Sequence, residues 1–290
     1  MEHGEFQIRE MTRPDQLQAL RLSTQSGWNQ NANDWQRIYD LCDDSCFAGK
    51  IDSQLVATGS LVRYENKCGW IGMMLVDEKY RRRGYGTAML NRLVRTADEM
   101  GLEWVGLDAT EMGEPLYRKV GFRPVGGVDR WRLQRSHRAI HIAGIRDYDF
   151  LPDESAVRVL DAAATGMERR DLLMHLSLDA RSKRGSFIVC DQNGMLGFGC
   201  ARQRRNGPQI GPVIAATADI AAEIVSALLE RLNPGEQTPV LIDVPRKSSI
   251  ESWLIGEGFE VTRRLTRMVR GTAQMGAPEL LFAIAGFEYG

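Results

Sequence analysis

Arg81-Arg82-Arg83-Gly84-Tyr85-Gly86 stands between an apolar run, Ile71 to Val76, and a segment of helical periodicity. Glycines let backbone N–H groups close on an anion. A helix that comes next aims its first N–H groups and positive dipole end at the same place. Arginines beside that place add charge and forked hydrogen bonds suited to phosphate. The chemistry is that of a pyrophosphate cradle. A dinucleotide site wants a third glycine and a cradle directly after its strand, with an acid about 20 residues on. Asp108 imitates the acid, but Met89 stands at the third glycine and seven residues separate Val76 from Gly84. That weighs against a dinucleotide. A solvated basic turn would explain the three arginines and leave the paired glycines unexplained.

The elements that must hold this loop are legible from pattern. WIGMMLV reads as a buried strand ahead of it, with Met73 and Met74 as core. Behind it, Met89, Leu90, Leu93, Val94, Ala97 and Met100 recur at helical spacing, so a helix is expected over 87–100, stopped by Gly101. WVGLD is the next strand, and EPLYRKVGFRPV is a short helix breaking at Gly121 before another strand.

The same plan is written twice. FQIREM, DQLQALRLSTQ, a helical stretch around DWQRIYDL, a hairpin turning at Asp52-Ser53 and the strand WIGMMLV make the first copy. AIHIAGI, ESAVRVLDAAA, RRDLLMHLSL, a hairpin turning at Gln192-Asn193-Gly194 and PQIGPVI make the second. Phe47 and Gly59 recur as Phe187 and Gly199, 140 residues on, and Gly121-Phe122 recurs as Gly258-Phe259, 137 residues on. Two domains are expected, residues 1–135 and 136–290, joined in the polar stretch near 134–140.

Composition narrows the function classes. The chain has 290 residues, and 37 basic against 38 acidic residues leave a net charge of −1, which argues against bulk nucleic-acid affinity. No apolar run reaches membrane-spanning length and the first residues carry no apolar signal core, so a cytoplasmic protein is expected. Among five cysteines, Cys42 and Cys46 stand one helical turn apart without a second pair or a nearby histidine, so no metal is expected. The four histidines have no triad or ligand spacing.

The loop resembles the signature of the GCN5-related N-acetyltransferases: strand, Arg/Gln-x-x-Gly-x-Gly/Ala, helix. Arg81 to Gly86 matches it position by position, and Leu116-Tyr117-Arg118-Lys119-Val120-Gly121-Phe122 matches the family's second mark, a tyrosine helix ahead of Gly-Phe. The whole chain resembles a tandem subgroup with a divergent second copy. The resemblance implies an α/β (α+β) fold of two tandem domains, each a mixed, twisted sheet flanked by helices and splayed between two strands. It implies acetyl-coenzyme A as co-substrate, with the pantetheine arm on the backbone of Met74, Leu75 and Val76. The pyrophosphate would rest on the N–H groups of Arg82, Arg83, Gly84, Tyr85, Gly86 and Thr87, with Arg81 adding charge. Arg82 and Arg83 would face solvent or meet the 3′-phosphate.

The activity so implied is transfer of an acetyl group to a primary amine of a small molecule or peptide, by direct attack in a ternary complex. The amine must lose a proton, the carbonyl oxygen needs donors, and the departing thiolate benefits from a proton donor. Tyr117 occupies the family's position for that donor. The strand WIGMMLV lacks the glutamate that often serves as base. Asp108 at the end of its strand is the first candidate, Glu111 and Glu114 are weaker ones, and a water chain would also serve. In the segment SGWNQNANDW, Trp28, Asp34 and Trp35 offer an aromatic and acidic cleft for a cationic amine, or simple packing. A different class of function is a non-catalytic acyl-coenzyme A sensor.

Laid over the first copy, the second puts Ala218 at Arg81, Ala221 at Gly84 and Glu223 at Gly86, so the anion site is lost. Leu254 stands at the tyrosine position. Asp243 matches Asp108, which hints at a structural role for both. The second copy is therefore expected to bind no coenzyme A, and to cover the first site, serve a homodimer or hold another ligand. The basic run Arg202, Arg204, Arg205 reads as a solvated turn.

Overall fold

The structure, a computed structural model, describes residues 5–65, 67–133, 144–182, 185–191, 194–232, 238–273 and 276–290. The expected junction near 134–140 and most of the turn at Gln192-Asn193-Gly194 lie outside the described residues.

The first copy runs β1 (Phe6–Glu10), α1 (Asp15–Gln25), α2 (Ala32–Cys42), β2 (Cys46–Ile51), β3 (Gln54–Tyr64), β4 (Cys68–Val76), α3 (Tyr85–Glu99), β5 (Trp104–Ala109), α4 (Glu114–Lys119) and β6 (Arg123–Leu133). The second repeats it as β7 (Ile145–Asp147), α5 (Phe150–Thr165), α6 (Arg170–Arg181), β8 (Gly185–Asp191), β9 (Met195–Arg202), β10 (Gln209–Ala215), α7 (Ala218–Leu232), β11 (Val240–Pro245), α8 (Glu251–Gly256) and β12 (Phe259–Gly271). One short strand, β13 (Leu281–Ala283), is extra. The doubled plan is real, and the mixed α/β class is as expected.

The compact units do not divide the chain in one cut. The first holds Met1–Val125, Arg267–Ala273 and Glu288–Gly290, and the second holds Gly126–Thr266 and Gln274–Phe287. The later part of β12 thus belongs with the first copy, and most of β6 with the second. In the second unit β6 pairs antiparallel with β11, from Val240 opposite Leu133 to Pro245 opposite Val128.

A buried ion pair marks each exchange. Asp108 on β5 has a fully buried carboxylate that accepts two 2.9 Å hydrogen bonds from Arg267 of β12, and that guanidinium lies 4.6 Å from the Trp70 ring. In the second unit Asp243 on β11 accepts 2.7 and 2.8 Å bonds from Arg130 of β6, which lies 4.6 Å from the Phe287 ring. Forked guanidinium donors match both carboxylate oxygens, so neither buried charge is left bare.

The repeated glycines have one cause. A methyl on Gly59 would meet Leu93 Cδ1 at 2.8 Å and Met89 Cγ at 2.9 Å on α3. A methyl on Gly199 would meet Ile224 Cγ2 at 2.4 Å and Leu228 Cδ1 at 3.1 Å on α7. In each unit the long helix presses on the hairpin at the point where the side chain is missing, and the apolar core gathers around that contact. These contacts also correct the overlay of the copies. Met89 and Leu93 correspond to Ile224 and Leu228, which puts Asp219 at the place of Gly84, Ala221 at Gly86 and Ala216 at Arg81. The packing of the helix, two residues out of step with the Gly-Phe match, sets this register.

Removing one partner of a buried pair leaves an uncompensated charge. Arg267→Met is expected to lower stability by about 3–5 kcal/mol, read as a fall in the urea midpoint, and Arg130→Met to do the same through the second unit.

Candidate acyl-transfer site

In the first unit β4 pairs with β3 on one side along its length, but with an interruption. Thr58 opposes Leu75 and Ser60 opposes Gly72, so Gly59 alone faces both Met73 and Met74. Met73 takes a left-handed backbone (φ 50°), and its carbonyl accepts a 2.7 Å hydrogen bond from the buried Thr58 hydroxyl. This is a β-bulge, which bends a strand and re-aims the residues beyond it. On its other side β4 pairs in parallel with β5 only from Cys68 opposite Trp104 to Trp70 opposite Gly106. Beyond Trp70 the two strands part. The edge of Met74, Leu75 and Val76 is therefore left without a β5 neighbour, a strand edge built to take an extended guest.

The arginine loop closes one end of that opening. Asp77 accepts from the Lys79 amide to cap a short 3-10 turn, and the Arg81 guanidinium donates to the Val76 carbonyl at 3.2 Å and pairs with Glu78 at 3.2 Å. Arg81 thus clamps the loop to the end of β4. Arg82 (φ 63°) and Gly84 (φ 85°) are both left-handed, and Gly84 is the residue before the first turn of α3. Alternation of this kind turns successive N–H groups to one side. The ladder of α3 opens with the Ala88 amide on the Gly84 carbonyl, so the amides of Tyr85, Gly86 and Thr87 precede it. Arg82, Arg83 and Thr87 are exposed, Arg83 lies 5.4 Å from the Tyr80 ring centre, and Tyr85 stacks on Phe6 at 4.1 Å. The helix begins at Tyr85, two residues before the expected start, which brings both glycines to its first turn.

Tyr117 on α4 is buried against Phe122, whose ring meets it edge-on at 6.1 Å. Burial pushes its phenol up to about 12, so it is protonated at neutral pH and keeps a proton to donate in a hydrogen bond. Its neighbour Leu116 reaches within 4.0 Å of the place a Gly86 side chain would take, which sets α4 against the first turn of α3.

The acidic candidates are otherwise occupied. Asp108 spends both oxygens on Arg267. Glu114 holds Arg118 at 2.6 Å, and Glu111 is exposed. In the segment expected to meet substrate, Asn31 and Asp34 form a capping box at the start of α2, and Asp34 also pairs with Arg37 at 3.0 Å. Trp35 is fully buried and donates from Nε1 to Ser23 at 3.1 Å, whereas Trp28 is half-buried. Asp34 and Trp35 build α2 and its seat, and Trp28 alone of the three keeps surface to offer.

The second unit has the same opening with a different content. β10 shifts register between Ile210 and Val213, and it pairs with β11 only at Gln209–Leu241 and Ile210–Ile242. Into the gap beyond runs β13. Val213 pairs with Ala283 and Ile214 with Leu281, and the Ile284 amide donates to the Asp243 carbonyl at 2.9 Å. The chain's own strand fills the place where the first unit stands open. At the loop, exposed Asp219 stands in the first turn of α7 where the first unit has Gly84, a charge that repels an anion. No signal in LFAIAG distinguishes a gap-filling strand from an ordinary one.

Known proteins decide the family. Residues 12–122 match the model described as acetyltransferase (GNAT) family, and residues 157–283 match one described as acetyltransferase (GNAT) domain. An uncharacterized N-acetyltransferase of Bacillus subtilis, YitH, is 30% identical over 249 residues, 83% of this chain and 83% of that protein. The chain belongs to the GCN5-related N-acetyltransferase family. The holothin acyltransferase of a Pseudoalteromonas strain is 26% identical over 266 residues, 91% of this chain and 87% of its own length. In fold, a putative acetyltransferase from Pyrococcus horikoshii superposes with a TM-score of 0.85 at 21% identity, covering all of this chain and 98% of the other. The GNAT architecture thus occurs in both copies of this acyltransferase, and the two differ in whether the gap between strands is open.

The two loop glycines should respond oppositely to alanine. Gly84→Ala forces a left-handed backbone on an L-residue and is expected to cost about 1–2 kcal/mol. Gly86 lies inside the helix with nothing nearer its missing side chain than Val76 Cγ2 at 3.6 Å. Gly86→Ala is expected to raise stability by about 0.5–1 kcal/mol. Urea denaturation of the two variants reads both signs.

Proposed function

We propose that this acyltransferase is an acetyl-coenzyme A-dependent N-acetyltransferase, acting on a primary amine of a small molecule or peptide by direct attack in a ternary complex. The observation that carries the reading is the open β4 edge, running from the bulge at Met73 into the cradle at Arg81 to Thr87. An extended pantetheine arm suits the backbone of Met74, Leu75 and Val76, and a pyrophosphate suits the first-turn amides behind Gly84. Bound there, the co-substrate supplies the activated acyl group as a thioester. Nucleic acid and membrane have no part in this reading, and a cytoplasmic setting agrees with five free thiols.

Tyr117 then has a defined task. A thiol ionises near 8.5, so a phenol at about 12 cannot hand its proton over at equilibrium. It donates a hydrogen bond to the departing sulfur as negative charge collects there. Burial keeps this donor protonated across the whole neutral and mildly alkaline range. Donation realised only as charge develops lowers the barrier without tightening the ground state.

Calorimetry should show one acetyl-coenzyme A per chain, because β13 fills the second opening. Gly84→Glu should abolish that binding, and unchanged binding would remove the pyrophosphate from this loop. With any accepted amine, Tyr117→Phe should cut kcat by about 10²-fold or more at little cost in cofactor affinity. Tight binding with no turnover across a broad amine panel would favour the sensor instead.

A further inference from the structure

An anion cradle at a helix start sets the helix a problem of stability. A first turn is ordinarily steadied by a side-chain oxygen at the N-cap and by acidic residues just behind it. Either would occupy the free amides or repel an anion. The helix α3 uses neither: Gly84 stands at its N-cap, no side chain caps the turn, and the turn contains no acid. It also contains Gly86, a weak helix former. The amides stay available, and the turn forgoes the local interactions that would steady it.

Support comes instead from β1. Tyr85, between the two glycines, lays its ring on that of Phe6, with centroids 4.1 Å apart and planes 13° from parallel. Phe6 belongs to the outermost strand of the sheet and packs with Ile8 against the core that α3 covers. Its ring reaches Tyr85 by leaning over Gly49. A methyl on Gly49 would meet Phe6 Cε2 and Cζ at 2.7 Å each, so the bare backbone of β2 makes room for the ring. Phe6, Gly49 and Tyr85 form one contact, running from the sheet to the first turn of α3.

The second copy is a control within the same chain. Carrying the match of Phe47 with Phe187 along the strand sets Val189 at the place of Gly49. Arg146 opposes Val189 as Ile8 opposes Gly49, which puts Gly144 at the place of Phe6. The register set by Ile224 and Leu228 puts Ile220 at Tyr85. All three members of the contact are gone. In their stead the Thr217 hydroxyl accepts from the Ile220 amide at 3.3 Å, and Asp219 stands in the first turn of α7. One copy caps its turn with a side chain, and the other stacks a ring on it and leaves the amides to an anion.

We propose that Phe6 is a positioning residue for the co-substrate, holding the first turn of α3, through Tyr85, in the form that receives the pyrophosphate. This rests on the reading above, in which the loop receives acetyl-coenzyme A. An anion that meets a preformed turn does not have to order it. With the ring removed, the competent form is less populated, and the observed Kd rises by the inverse of that fraction.

The test is a double-mutant cycle read by calorimetry with acetyl-coenzyme A. Phe6→Leu and Tyr85→Leu each keep an apolar side chain and remove one ring. Each should raise Kd by about 2- to 10-fold, the range an aromatic pair supplies. The double variant should lose no more than the larger single loss, because either change alone already breaks the stack. Tyr85→Phe keeps the ring and should bind within about twofold of the parent. With an accepted amine, the loss should appear in KM for acetyl-coenzyme A rather than in kcat. An unchanged Kd in Phe6→Leu overturns the assignment, even where the urea midpoint falls, and so do single losses that multiply in the double variant. A parent chain that binds no acetyl-coenzyme A would refute the proposed function instead, and that is read before any variant is made.

Discussion

The bulge at Met73 is the constraint on which the rest of the site depends. One left-handed residue in the middle of a buried strand costs about 1–2 kcal/mol, and the structure holds it with the Thr58 hydroxyl on its carbonyl. In return β4 turns away from β5 after Trp70. Without that turn a parallel pair would run on to Val76 and its backbone groups would be consumed in the sheet. With it, a polar strand edge lies open inside a closed fold, ending at the first turn of α3. The loop, the tyrosine helix and Gly72 all adjoin that edge.

The second copy shows what such an edge demands when nothing else takes it. Buried backbone N–H and C=O groups must be paired. There the chain supplies its own guest, β13, antiparallel to β10. Leu281, Phe282 and Ala283 are buried in doing so. The first copy keeps its edge for a ligand, and the second has made the opening part of its core. The second copy thus differs from the first both at the anion loop and in the filled gap.

Features carried by local chemistry were legible in the sequence. Gly84 announces itself because few residues take its backbone, and Tyr117 ahead of Gly121-Phe122 is a short helix with a stop behind it. Gly59 and Gly199 could be matched because each is the hole that a helix fills. Features that depend on distant partners could not be read. Met73-Met74 looks like any buried strand, since its bulge comes from register against β3. Asp34 looks like a free acid beside aromatics, yet it closes a cap with Asn31 three residues back. That spacing is a capping-box signal, and it marks Asp34 as a helix-starting residue without any knowledge of the fold. Phe6 reads as one apolar residue of a short strand. Only the fold lays its ring on Tyr85.

The exchange of β6 and β12 governs how this protein can be cut. The sequence repeat and the folded units are different partitions of the same chain. A fragment ending after Leu133 would hold Asp108 without Arg267, and a bare β5 edge where β12 should lie. The complementary fragment would hold Asp243 without Arg130. Each half of the gene thus encodes a piece that is incomplete without the other. The copy without the anion loop carries the arginine that neutralises the buried carboxylate at the heart of its twin.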